Sequence, residues 1–285
     1  MRYGIPTQIV WPRTIGGPTN RRGKSQDPAT RAWNLATALY HKAGGVPWRL
    51  HNVDPGVCFV GVSFYRESAA AGALLRTSMA QTFTASGGYV LRGNTFDWDE
   101  AAEGKSPHLD HASAQSLIRE VLDLYKRQNK NSLPSRLVVH KRSRFWPDEL
   151  DGFQGGAEQV PQTDFVAMGE RGIRFFRPGD YPSLRGTYVK FSDTNFILYA
   201  TGYIPFLESY PGARIPQPLE IVEHFGDSPW TTVLHELLGL TKLNWNSADF
   251  AARSPITLAF SHRVGEILAE LPDNAPIRHE YRFYM

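Results

Sequence analysis

The side chains best suited to acid–base or metal chemistry fall in two short runs. His235-Glu236-Leu237-Leu238-Gly239 begins like a zinc-binding helix, but the second histidine ligand would have to stand at 239, where there is only glycine. Asp97, Asp99 and Glu100 crowd into one loop; they could imitate a catalytic acid set or form a solvated turn. Neither the Walker nor the dinucleotide glycine pattern is present. The basic residues are more informative. Arg2, Arg13, Arg21, Arg22, Lys24, Arg31, Lys42 and Arg49 stand against Asp27 alone in residues 1–50, although the whole chain carries a formal charge of only +3. Clustered lysine and arginine displace counterions from phosphates, so this segment is expected to face a polyanion. A solvated basic loop at 20–24 is the alternative.

The elements that must hold these residues can be read from spacing. Residues 12–27 are rich in proline, glycine and basic residues and read as a loop. Asp27-Pro28 is an N-cap followed by proline at the first helical position. Ala32, Leu35, Ala36 and Leu39 then repeat at helical spacing until Gly44-Gly45, with His41 and Lys42 in the last turn. Val46 to Pro55 reads as a linker. Short strands are predicted over Val57–Phe64, Ala80–Ala85 and Tyr89–Phe96, the last two joined as a hairpin at Ser86-Gly87-Gly88. A helix is predicted over His111–Gln128 and an apolar strand over Arg136–His140. Further β-like runs fall at Phe165–Met168, Ile173–Phe176 and Phe196–Tyr199. Two helices, opening at Ser228-Pro229 and Ser254-Pro255, close the chain. Strand, hairpin, helix, strand is the order of an RNase H-like sheet, and it also fits other α/β domains.

At 285 residues the chain exceeds one usual domain of ~100–200 residues without filling two. With 41% hydrophobic residues it can bury a substantial core. Cys58, the single cysteine, sits in an apolar run and is expected to be a buried small hydrophobe, which excludes an internal disulfide framework. No apolar stretch approaches the ~18–20 residues of a membrane span, and the first residues lack a secretory pattern; a cytoplasmic setting is expected.

Several segments together resemble the MID and PIWI portions of Argonaute proteins, prokaryotic short Argonautes above all. Ile5-Pro6-Thr7-Gln8 is similar to the strand carrying the family's guide-binding glutamine. Asn34 to Gly45 is similar to the helix whose lysine holds the guide 5′-phosphate. Thr241-Lys242-Leu243-Asn244-Trp245-Asn246 followed by Ser254-Pro255-Ile256-Thr257-Leu258-Ala259 is the strongest match. The resemblance implies an α/β fold in which an RNase H-like PIWI domain, residues 51–285, is preceded by a partial Rossmann-like MID segment, residues 1–50. It implies that Gln8 and Lys42 bind the guide 5′-phosphate. A glutamine amide and a lysine ammonium at a helix end are suitable donors for it; the alternative is a solvated glutamine and a lysine that complements the helix dipole. The family's additional tyrosine and second lysine lie upstream of the glutamine, and only seven residues precede Gln8, so the chain is expected to open inside the MID domain, without PAZ and N-terminal domains. Tyr3 is wrongly spaced to replace that tyrosine. In some relatives the C-terminal carboxylate helps hold a divalent ion beside the phosphate. This makes Met285 a candidate ligand for one Mg²⁺ in that pocket, with simple hydrophobic packing of the tail equally open.

Slicing members of the family hold two metal ions with an Asp-Glu-Asp-X tetrad of hard oxygen ligands. Aligned with it, this sequence has Ser63 at the first aspartate, Lys141 at the next and Lys242 at the last position, so no catalytic residue and no catalytic metal pair is expected. His140, Lys141, Arg142, Arg214, Lys242, Asn244 and Asn246 are expected to follow the sugar-phosphate backbone of a guide–target duplex instead. The implied partners are a guide oligonucleotide, its complementary target, and an effector subunit with an Argonaute-associated domain fused to a TIR, sirtuin-like or nuclease domain, acting in prokaryotic defence. Two readings from other classes are an RNase H-like nuclease using displaced carboxylates at Asp97, Asp99 or Glu100, and a structural subunit that binds no nucleic acid.

Overall fold

The computed structural model describes residues 4–16, 26–51, 53–69, 72–81, 88–98, 106–169, 173–176, 178–179, 181–210, 215–270 and 277–285. The first long helix, α1 (Pro28–Lys42), starts as the sequence requires: the Asp27 carboxylate accepts the Thr30 N–H at 3.0 Å, and proline fills the first helical position. It ends where Gly44 adopts φ 99°, a left-handed conformation that glycine takes without steric cost. Only Ala38 and His41 of this helix are buried. The predicted apolar face is therefore not a core face: Leu39 is exposed, as are Trp33 and Tyr40 beside it.

One eight-stranded sheet organises the rest, in the order β3-β2-β1-β4-β5-β8-β7-β6. Strands β1 (Val57–Ala69), β2 (Gly72–Gln81) and β3 (Val90–Asp97) form an antiparallel meander. Strands β4 (Arg136–Lys141) and β5 (Gln162–Gly169) add parallel to β1. Strand β8 (Leu219–Gly226) then pairs antiparallel with β5, and the short β7 (Phe196–Leu198) and β6 (Tyr188–Lys190) finish that edge. The meander differs from the predicted hairpin. Strand β2 begins at Gly72 rather than Ala80, and the proposed turn at 86–87 lies outside the described residues. Ile173–Phe176 has no regular structure.

Alternation along β1 and β4 divides their side chains between two cores. Val57, Phe59 and Val138 join the cluster made with α4 (Trp230–Leu240), α5 (Ile256–Ala269) and the C-terminal tail. Cys58, Val60, Val62, Leu137 and Val139 join the cluster beneath α2 (His111–Gln128) and α3 (Pro147–Gly156). Helix α3, Pro-Asp-Glu-Leu-Asp-Gly-Phe-Gln-Gly-Gly, was not predicted, its three glycines weakening any helical signal. Its glycines serve close packing instead: a Cβ on Gly152 would stand 2.3 Å from the His111 carbonyl oxygen, and one on Gly156 would stand 2.8 Å from that of Gln115. The linker after α1 is not loose either, since Trp48, Leu50 and Val53 pack against the α4–α5 core.

A buried charge network joins these layers. The Arg136 guanidinium donates to Asp164 on β5 at 2.6 Å and to both oxygens of Glu236 on α4 at 2.6 and 2.9 Å. Asp164 also meets the His224 ring at 2.7 Å and accepts the Ser228 hydroxyl at 2.6 Å. Burial alone would raise the Asp164 pKa, but these hydrogen bonds outweigh it and bring the value down to about 2. On the same face, helix α5 lies against β1 so closely that a Cβ on Gly61 would stand 2.1 Å from the Thr257 carbonyl oxygen.

That contact is backbone against backbone and cannot relax by a rotamer change. Gly61→Ala is expected to destabilise the protein by about 1–3 kcal/mol or more, seen as a lowered urea midpoint. An unchanged midpoint would mean that α5 does not sit on β1 in this way.

Candidate nucleic-acid interface

The N-terminal segment and the end of α1 come together. The Lys42 ammonium donates to the carbonyl of Thr7, the residue before Gln8. Burial holds Lys42 below the ordinary lysine pKa. Gln8 is exposed, and its amide donates to the neighbouring Ile9 carbonyl at 3.2 Å. Two further cations arrive from the tail, and the sequence reading missed both. The Arg282 guanidinium lies 3.7 Å from where a Cβ on Gly44 would be, and that of Arg278 lies 3.1 Å from the same point on Gly4. Their i,i+4 spacing around an aromatic tail was the only signal available. His41 sits behind this cluster, 4.7 Å from the Trp245 ring, with Nδ1 3.0 Å from the Gly45 carbonyl. Its pKa is lowered first by burial, then by Arg282 and Lys42.

The tail itself is a 3-10 turn, Tyr281–Phe283, rather than a strand. Met285 is half-buried against the core, and among the described residues no hydrogen bond or ion pair joins its carboxylate to Lys42. Mg²⁺ requires an oxygen cage. The side chains that stand against Gly4 and Gly44 are the Arg278 and Arg282 guanidiniums, which offer a metal ion no oxygen.

The register changes the reading of the catalytic positions. Val62 pairs with Lys141 across the parallel β1–β4 ladder. Ser63 therefore points to the α5 side, while Lys141 points to the α2–α3 side with Val139. Ligands for one metal pair must share a face, so the residue matching Ser63 is Arg142, exposed one step beyond the end of β4. Lys141 is spent internally. It is buried, its ammonium is paired with the buried Glu149 carboxylate, and it lies 5.3 Å from the Phe64 ring. Glu149 also accepts the Leu109 N–H at 3.0 Å. Burial lowers the Lys141 pKa, and Glu149 opposes that shift.

Several expected backbone contacts are corrected by burial or by partners. Lys141 cannot reach a phosphate from this position. Nor can His140, which is buried with Nδ1 2.8 Å from the Thr257 hydroxyl. The Asn246 amide donates to the Tyr281 hydroxyl at 3.0 Å and so holds the tail, while the Asn244 side-chain oxygen accepts the Asn246 N–H at 3.1 Å and closes a local turn. Lys242 is exposed, 4.8 Å from the Phe250 ring, and among the described residues no contact brings it to Ser63; the element over β1 is α5. Arg214, Asp99 and Glu100 lie outside the described residues, as does the side chain of Asp97. Glu236 of the zinc-like run is committed to Arg136. Cys58 is fully buried, and burial pushes its thiol pKa up. No helix among the described residues is long and apolar enough to cross a membrane.

A mixed sheet with an antiparallel meander, parallel β1, β4 and β5, and helices on both faces is an RNase H-like fold of the PIWI kind. No family model matches the chain. It is 22% identical over 279 residues to the protein argonaute of Aquifex aeolicus (strain VF5), a match covering 97% of this chain and 35% of that protein. Among solved structures, Clostridium butyricum Argonaute bound to a guide DNA and a 19-mer target DNA superposes with a TM-score of 0.71 at 18% identity, covering 96% of this chain and 35% of that one. Aquifex aeolicus Argonaute superposes with a TM-score of 0.63 at 19% identity, covering 88% and 34%. Argonaute homologues are thus found in both sequence and structure, and the chain spans about a third of their length.

Two outcomes follow from the buried pairs. Lys141→Met strands the Glu149 carboxylate and is expected to cost about 3–5 kcal/mol, whereas Lys141→Met with Glu149→Gln recovers much of it; a double-mutant cycle by urea unfolding measures the difference. His140 has its pKa pushed down to about 3 by burial and by Arg136. The folded protein then binds one proton fewer than the unfolded chain between that value and ~6.5. Stability is therefore expected to fall on acidification through this window, by on the order of 1 kcal/mol per pH unit. His140→Gln should flatten that part of the stability–pH curve.

Proposed function

We propose that this chain is a guide-dependent nucleic-acid-binding module of the Argonaute kind, a partial MID-like segment over 1–50 and a PIWI domain over 51–285, that does not cut. The observation that carries the binding is the convergence of Lys42 with the Thr7–Gln8 segment, with Arg278 and Arg282 close by. Several charge-assisted donors are what a terminal phosphate needs. The solved relatives support the reading: the Clostridium butyricum protein is bound to guide and target DNA, and that of Marinitoga piezophila, with a TM-score of 0.53, to a guide RNA.

The inactivity rests on charge. A hydroxyl at Ser63 and a guanidinium at Arg142 stand on the face where two carboxylates would have to gather divalent ions. An Arg142 side chain there favours a phosphate over a metal. Sequence specificity would come from guide pairing, with the protein reading backbone shape. Enzymatic output would come from an effector subunit with an Argonaute-associated domain joined to a TIR, sirtuin-like or nuclease domain, in defence of a prokaryotic cell.

The test compares 5′-phosphorylated and 5′-hydroxyl single strands, DNA and RNA, in a binding titration at fixed salt. The wild type is expected to prefer the phosphorylated end, and Gln8→Ala with Lys42→Ala to lose that preference by about tenfold or more. With guide, complementary labelled target, and Mg²⁺ or Mn²⁺, no scission is expected. Cleavage abolished by changing Asp97, Asp99 or Glu100 would replace this reading with that of a nuclease.

A further inference from the structure

Away from Lys42, one surface turn presents an aromatic ring to solvent at some cost in backbone strain. The 3-10 turn Pro205–Leu207 is closed by the Ile204 N–H donating to Ser209 at 3.1 Å and the Glu208 N–H donating to Pro205 at 3.0 Å. Glu208 adopts φ 48°, a left-handed conformation uncommon for a residue with a side chain. The result is Phe206 held at the tip, 73% exposed. Burial cannot explain an aromatic kept in water by a strained and well-bonded turn.

Its neighbours are an aromatic and two cations. The Phe250 ring lies edge-on to Phe206, with centroids 5.7 Å apart. The Lys242 ammonium stands 4.8 Å from the Phe250 centroid and the Arg185 guanidinium 5.6 Å from it. Arg185 is fixed by hydrogen bonds to the Leu238 carbonyl at 2.9 Å and the Thr241 hydroxyl at 3.0 Å. Among the described residues no carboxylate pairs with either cation, and Lys242 has its pKa lowered by burial and by Arg185 itself. Two like charges thus stand against one ring, and among the described residues neither has a carboxylate partner.

We propose that Phe206, Phe250, Lys242 and Arg185 form a subsite for one nucleotide of a single-stranded segment, the base stacking on the exposed face of Phe206 and the adjoining phosphate taken by Lys242. It rests on the nucleic-acid reading above and adds to it a stacking platform at a second place on the molecule. A ring with a free face accepts any base, and a flexible ammonium accepts a phosphate without fixed geometry; the combination suits sequence-independent capture of a strand. The strained turn places the ring before binding, so little ordering remains to be done when the strand arrives.

The experiment is an anisotropy titration of labelled 5′-phosphorylated and 5′-hydroxyl single strands across a salt series. Phe206→Ala is expected to weaken both by roughly 5- to 100-fold, the range of a lost base–aromatic stack, and Phe206→Trp to retain affinity. Lys242→Met is expected to weaken both and to reduce the slope of log affinity against log salt by about 0.7. The 5′-phosphate preference should survive in all three variants, since Lys42 is untouched. If Phe206→Ala binds like the wild type while Lys42→Ala abolishes the phosphate preference, the subsite is overturned and the guide-binding reading stands. If the wild type binds neither strand, both fall together. Phe206 and Lys242 are exposed, so loss of fold does not confuse the result.

Discussion

The ion network around Arg136 holds the layers in place. One guanidinium at the start of β4 fastens the neighbouring strand through Asp164 and the overlying helix α4 through Glu236. Burying such a group is costly unless it is paired and hydrogen-bonded, and here each of its three nitrogens donates to a carboxylate. The arrangement fixes which turn of α4 faces the sheet. It thereby fixes where the loop after α4, with Lys242 and Trp245, leaves the core. Truncating a member would leave its partners charged in a dry interior, a heavier penalty than the loss of the bond itself.

How far the sequence could be read depended on the kind of signal. Helix α2, with a periodic face and the Asp110 cap, was legible to the residue, and the start of α5 was legible from Ser254-Pro255. Helix α1 had legible ends but a misleading face, since Leu39 lies in solvent while His41 two residues on is buried among Trp245 and Tyr281. Helix α3 was hidden by glycines that exist for interhelical contact. At the candidate site, Lys42 was singled out by a resemblance, and the structure brings it to the segment that carries Gln8. Arg278 and Arg282 could not be found, because their meeting with Gly4 and Gly44 is a tertiary event.

The treatment of Lys141 shows why parity matters in a sheet. Counting along a strand gives height, but only pairing to its neighbour gives the face, and one residue is the difference between Lys141 and Arg142. A lysine sealed against Glu149 neutralises a charge and braces α3; an arginine one position later stands in water at the strand end. The local sequence His-Lys-Arg contains all three fates, a hydrogen-bonded core imidazole, an internal ion pair and an exposed cation, and none is visible without the register.

Trp48 donates its indole N–H to the Lys242 carbonyl at 2.8 Å, and its ring packs against Trp245, which in turn meets His41 on α1. The segment joining α1 to the sheet is consequently a strut rather than a hinge. Lys42 at one end and Lys242 at the other belong to a single gauge whose span is set by three rings in tilted and edge-on contact, so any strand lying across both is measured against a fixed length.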